Sequence, residues 1–79
     1  MSKKEELTYN IQLSELALKL RRLRLSNRFS VAEVAVACKI KPDKLLDYEN
    51  DRELPTKQKL KVLAEFYGID SIELLNCLK

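Results

Sequence analysis

The stretch from Phe29 to Pro55 constrains the fold most, because it marks the start, stop and restart of two short helices within a few residues. Ser30 can accept from the backbone N–H of Glu33 while the Glu33 side chain reaches back to the Ser30 N–H, which is the capping-box pattern. Phe29 before the cap and Val34 after it have the spacing of a hydrophobic staple, so a helix is expected from Ser30 to about Cys38. Lys39, Ile40 and Lys41 then read as a turn. Pro42 suits the first position of a new helix, where its missing N–H costs nothing and its fixed φ already fits. Leu45 and Tyr48, with Ile40 just before them, recur at helical spacing and predict a buried stripe that leaves Asp43, Lys44 and Asp47 facing outward.

Weaker punctuation surrounds this pair. Residues 1–6 are charged and carry no readable function. From Leu7 to Leu13 the apolar residues Leu7, Tyr9, Ile11 and Leu13 alternate with polar ones, which is strand periodicity, yet Tyr9, Leu13, Leu16, Leu20 and Leu23 also fit a helix. The expectation is an extended or partly disordered arm over residues 1–13 and a domain over 14–79, with the first helix capped by Ser14 and ending near Ser26. After Pro55, Thr56 can cap a fourth helix that turns Leu60, Leu63, Ala64 and Tyr67 inward and stops at Gly68 in a left-handed conformation. Asp70 and Glu73 repeat the capping-box spacing and open a fifth helix, whose Leu74, Leu75 and Leu78 can pack back or pair with another chain. Neither an internal repeat nor a low-complexity segment interrupts this all-α order.

With 79 residues the chain has room for one domain and one core. No apolar run approaches the ~20 residues needed to cross a bilayer, and the start Met-Ser-Lys-Lys-Glu-Glu lacks the apolar stretch of a signal peptide, so the cytoplasm is the expected compartment. The two cysteines, Cys38 and Cys77, lie far apart and no histidine exists to complete a zinc site. They read as small buried apolar residues in a reducing compartment, with no metal and no cofactor implied. An enzyme would need a nucleophile with a base, a metal cluster or a cofactor loop, and a chain with no histidine and one glycine supplies none of these. The formal charge of +3 is compatible with nucleic acid without demanding it.

Two short helices joined by a three-residue turn form a helix-turn-helix pattern, in which the second helix has the width to enter the DNA major groove while the first crosses the backbone. Leu20-Arg21-Arg22-Leu23-Arg24, Ser30-Val31-Ala32-Glu33-Val34-Ala35, Leu45-Leu46-Asp47-Tyr48-Glu49-Asn50, Pro55 and Leu63-Ala64-Glu65-Phe66-Tyr67-Gly68-Ile69-Asp70 together resemble the Xre or Cro type of this pattern over roughly residues 14–76. That is the family of phage repressors and many small bacterial regulators. The Lys-Pro step and the run Asp47-Tyr48-Glu49 followed by Pro55 look most like the corresponding domain of multiprotein bridging factors.

The resemblance implies a five-helix lambda-repressor-like domain in which Arg24 of the first helix pairs with Glu49 at the end of the third. It implies that Pro42, Asp43 and Asp47 face base edges, and that Lys41, Lys44, Asn50, Arg52 and Lys57 lie where phosphates are contacted.

Several residues depart from the family pattern. Proline and aspartate cannot donate a hydrogen bond to a purine, although an aspartate can accept from cytosine N4. From Lys39 to Leu54 there are four basic residues (Lys39, Lys41, Lys44, Arg52) against five acidic ones (Asp43, Asp47, Glu49, Asp51, Glu53), and four minus five leaves −1. Val31 stands where a phosphate-binding glutamine is common, though the backbone N–H groups remain. Lys39 and Asp51 stand where glycine is favoured, and aspartate tolerates a left-handed conformation better than lysine does. Leu18, Val36, Leu46 and Val62 are apolar at positions expected to be polar, which points to dimerisation or a protein partner.

Each sharp reading has a plain counterpart. Lys41, Lys44, Arg52 and Lys57 can equally be solvated surface charges, Asp43 suits the positive end of its own helix, and Lys19, Arg21, Arg22 and Arg28 make the outer face of helix one basic, which reads as a solvated face with local ion pairs. Two functions follow. One is a dimeric regulator that binds double-stranded operator DNA through the helix starting at Pro42. The other is a protein-interaction module on the same fold, antitoxin-like with a toxin as partner or a bridging coactivator, that binds DNA weakly.

Overall fold

The computed structural model, which describes residues 14–78, has five α-helices, four opened by a capping side chain and one by a proline. Residues 1–13, the proposed arm whose alternation left strand and helix open, lie outside the described residues, as does Lys79. The first helix, α1 (Glu15–Ser26), starts where the Ser14 hydroxyl accepts from the Ala17 N–H at 3.1 Å. It ends at Asn27, whose side-chain amide donates to the Leu23 carbonyl at 2.7 Å. Beyond it Arg28 takes a left-handed φ of 60°, so it does not extend the basic face of helix one as the sequence suggested.

The second helix, α2 (Val31–Cys38), carries the full capping box. Ser30 Oγ accepts from the Glu33 N–H at 3.0 Å, and Glu33 Oε1 accepts from the Ser30 N–H at 2.7 Å. Lys39 closes it in the left-handed region at φ 58°, which lets the Ile40 N–H reach back to the Ala35 carbonyl at 2.9 Å. Lys41 is extended, as a residue before proline must be, and α3 (Pro42–Glu49) starts immediately after it. Thr56 caps α4 (Lys57–Tyr67) through the Lys59 N–H at 3.1 Å, and Gly68 ends it at φ 74°. A Cβ on Gly68 would meet nothing within 4 Å, so the positive φ and not crowding is what favours glycine there.

The last helix, α5 (Ser71–Leu75), departs from expectation. Asp70 accepts from the Ile72 N–H at 3.0 Å, and the Glu73 side chain, instead of closing a capping box, reaches across to Lys19 Nζ at 3.2 Å. Lys19, its side chain still 38% exposed, thus bridges α1 to α5. A short 3-10 turn over Asn76–Leu78 follows α5 and packs on α1.

In the core, α3 lies against both α1 and α2, α4 against α2, and α5 against α4. Leu16, Leu20, Val34, Leu45, Leu60, Leu63 and Leu74 are at most 2% exposed and meet at the centre, and the predicted stripe of Ile40, Leu45 and Tyr48 is buried. Burying side chains of this size contributes about 1.5–3 kcal/mol each before entropy is counted. Phe29 packs against Phe66 with ring centroids 5.0 Å apart and the rings tilted by 45°, fixing the α1–α2 connection onto α4. Val62, expected on an outer face, is half-buried against the core. Tyr67 is only partly buried, Leu75 half-buried and Leu78 exposed, so of the three leucines in the tail only Leu74 is fully inside. Cys38 is buried, Cys77 is half-buried, and both are free thiols. Among the described residues no helix is long and apolar enough to cross a membrane.

Candidate functional site

The site is built on the α2–α3 pair, and its geometry starts from a buried ion pair. Arg24 Nε donates to Glu49 Oε2 at 2.8 Å and to Oε1 at 3.1 Å, while Nη2 donates to Oε1 at 2.9 Å. The third guanidinium nitrogen, Nη1, donates to the Phe29 carbonyl at 3.2 Å. Glu49 is 1% exposed, so this fork-on-carboxylate contact is made out of water, where its geometry matters most. The bond to Glu49 raises the Arg24 pKa despite the opposing effect of burial, and keeps the guanidinium charged. One side chain thus ties the C-terminal end of α3 to α1 and to the connection leading into α2.

With α3 held at that end, its opposite face points away from the core. Lys41, Pro42, Asp43 and Lys44 are exposed, while Asp47 and Asn50 are half-buried. Lys57, at the start of α4, is also exposed. Leu46 on α3 and Val36 on α2 are apolar and exposed, Val36 at 77%.

The structure differs from the sequence reading in how these charges are partnered. Lys44 Nζ meets both carboxylate oxygens of Glu53 at 3.0 Å, and Arg52 Nη1 lies 3.6 Å from Asp47 Oδ1. Two cations expected at phosphate positions are therefore engaged by acids of the same chain. Lys41 and Lys57 have no such acid among the described residues. Glu53 entered the sequence reading only as a unit of negative charge. Nine residues and a reversal of the chain separate it from Lys44, and periodicity does not cross such a turn.

The reversal follows from Asp51, which is left-handed at φ 64°. It brings the Arg52 N–H to the Asp47 carbonyl at 2.9 Å and the Glu53 N–H to the same oxygen at 3.4 Å. With Glu49 buried against Arg24, the remaining charges from Lys39 to Leu54 are four basic and four acidic, and four minus four leaves zero.

A family model described as a helix-turn-helix domain matches residues 15–76, nearly the whole described chain. The chain belongs to the helix-turn-helix domain family. Neither a search of curated proteins nor one of solved structures returned a match. Within the matched residues, α2 and α3 are the two short helices joined by the turn Lys39–Lys41. Among the described residues no group of three or more histidine, cysteine, aspartate or glutamate side chains could hold a metal ion.

Proposed function

We propose that this helix-turn-helix domain is a small transcriptional regulator of the Xre type that acts as a homodimer in the cytoplasm, needs no cofactor and catalyses no reaction. It binds operator DNA by laying α3 in the major groove. The observation that carries the reading is the buried Arg24–Glu49 clamp, which fixes α3 by its far end and leaves Lys41, Pro42 and Asp43 exposed at the other. Lys41 and Lys57 supply phosphate contacts, joined by Asn50 and by the backbone N–H groups of Val31 and Ala32 at the start of α2. Lys44 and Arg52 add to these once released from their acids. Asp43 and Asp47 are the candidates for base edges, where a carboxylate accepts from cytosine N4. A two-fold dimer would read two half-sites about one helical turn, ~34–36 Å, apart.

A second reading has its own support. Leu18, Leu25, Val36 and Leu46 are exposed apolar residues, and the charge near α3 sums to zero, which suits a protein partner such as a toxin better than a polyanion. Fluorescence anisotropy with the protein's own upstream promoter duplex and a scrambled duplex, at two salt concentrations, separates the two. Tighter binding to the promoter, lost on Lys44→Ala or Asp47→Ala, supports the regulator. Equal and weak binding to both, with a protein that co-purifies, supports the interaction module.

A further inference from the structure

The loop after α3 turns at Asp51 and folds back along the helix that precedes it, where Asp47 receives it. The Asp47 carbonyl accepts from the N–H groups of both Arg52 and Glu53, and its carboxylate faces the Arg52 guanidinium. This places the Glu53 side chain beside Lys44, one turn N-terminal to Asp47 on α3. There both carboxylate oxygens lie 3.0 Å from the Lys44 ammonium. A carboxylate that presents two oxygens to an ammonium has the geometry and charge of two phosphate oxygens. Both side chains are more than two-fifths exposed, so the contact contributes little to the fold and its consequence lies in what Lys44 can meet.

We propose that Glu53 is an intramolecular competitor for DNA phosphate: it occupies Lys44 in the free domain and must be displaced before that lysine contacts a duplex. This rests on the DNA-binding reading and deepens it. A lysine already neutralised by a carboxylate exchanges one anion for another on binding, so the gain from counterion release at that position is largely cancelled. The displaced carboxylate is then left beside a negative backbone. The result is weak attraction to DNA of any sequence, while contacts made by Asp43 to bases are unaffected. Asp47 has a second part in the device, since its main chain holds Glu53 in place while its carboxylate engages Arg52.

The test is a salt titration of the full chain with a duplex of arbitrary sequence, read by anisotropy, for wild type, Glu53→Gln, Lys44→Gln and the double variant. The exposure of both side chains keeps the fold intact, which circular dichroism verifies. Glu53→Gln is expected to tighten binding by about two- to tenfold and to steepen the dependence of log affinity on log salt by about one unit, with most of the gain lost in the Lys44→Gln background. Wild-type binding that Glu53→Gln leaves unchanged in affinity and slope overturns the competitor. So does a gain of equal size with Lys44 absent, because the effect would then be one of overall charge. Absence of binding by wild type and every variant at low salt overturns the DNA-binding reading itself, and the inference with it.

Discussion

The Asp51 carboxylate accepts a hydrogen bond from the Ser14 backbone N–H at 3.0 Å, so the turn that ends α3 also anchors the start of α1. Asp51 does this from a left-handed conformation at φ 64°, which costs a residue with a Cβ roughly 1–2 kcal/mol. Strain and bond therefore oppose each other at one position. Asp51→Gly removes both and is expected to change stability by less than about 1 kcal/mol. Asp51→Ala keeps the strain and loses the bond, and is expected to destabilise by about 1–3 kcal/mol. Urea unfolding of the two variants checks the order.

Arg24 and Glu49 form the contact whose loss is most costly. Arg24→Met leaves the Glu49 carboxylate buried without its cation and is expected to destabilise by about 3–5 kcal/mol, a large part of what a domain of this size has. Replacing both, Arg24→Met with Glu49→Leu, should recover most of that loss, because no unpaired charge remains inside. A double-mutant cycle by chemical denaturation measures the coupling.

Lys39 holds a left-handed φ of 58° at the end of α2 and makes no side-chain hydrogen bond or ion pair among the described residues. Lys39→Gly relieves the Cβ strain without removing a contact, and thermal unfolding should shift upward by the equivalent of about 1 kcal/mol.

The Tyr67 hydroxyl is buried and has no hydrogen-bond partner among the described residues, and burial pushes its pKa well above the ordinary 10.0. Below pH 10.0 both folded and unfolded chains keep this proton, and the contribution to stability is constant. Above it the unfolded chain ionises first, so stability falls as pH rises. Cys38 and Tyr48, both also pushed up by burial, act in the same direction from their ordinary 9.0 and 10.0. Tyr67→Phe should leave stability at pH 7 within about 1 kcal/mol of wild type and make the alkaline loss shallower, as denaturation midpoints across pH 8–11 would record.

Helix boundaries were legible where a side chain close in sequence sets them. Ser14, Ser30, Pro42, Thr56 and Gly68 each act on backbone groups within three or four positions, and each marks the helix end it was read to mark. Where a side chain has a distant alternative, local reading fails. Glu73 was expected to cap its own helix and instead meets Lys19, and Glu53 turns back to Lys44 across the Asp51 reversal. Val62 shows a different limit, since spacing along one helix does not tell which of its faces another part of the chain covers. The exposure of Asp43 and Lys44 was readable from helical spacing, whereas Asp47, expected to face outward with them, is half-buried, and the pairing that neutralises Lys44 was not readable.

The most direct test of the proposed recognition surface is to titrate the isotopically labelled protein with a duplex from its own promoter and follow backbone amide shifts by NMR. The largest changes are expected at Lys41, at Asp43 to Asp47, and at Val31 and Ala32, with little change around Leu18 and Leu25. Changes confined to the Leu18–Leu25 side of α1, or none at any salt concentration, would contradict recognition through α3.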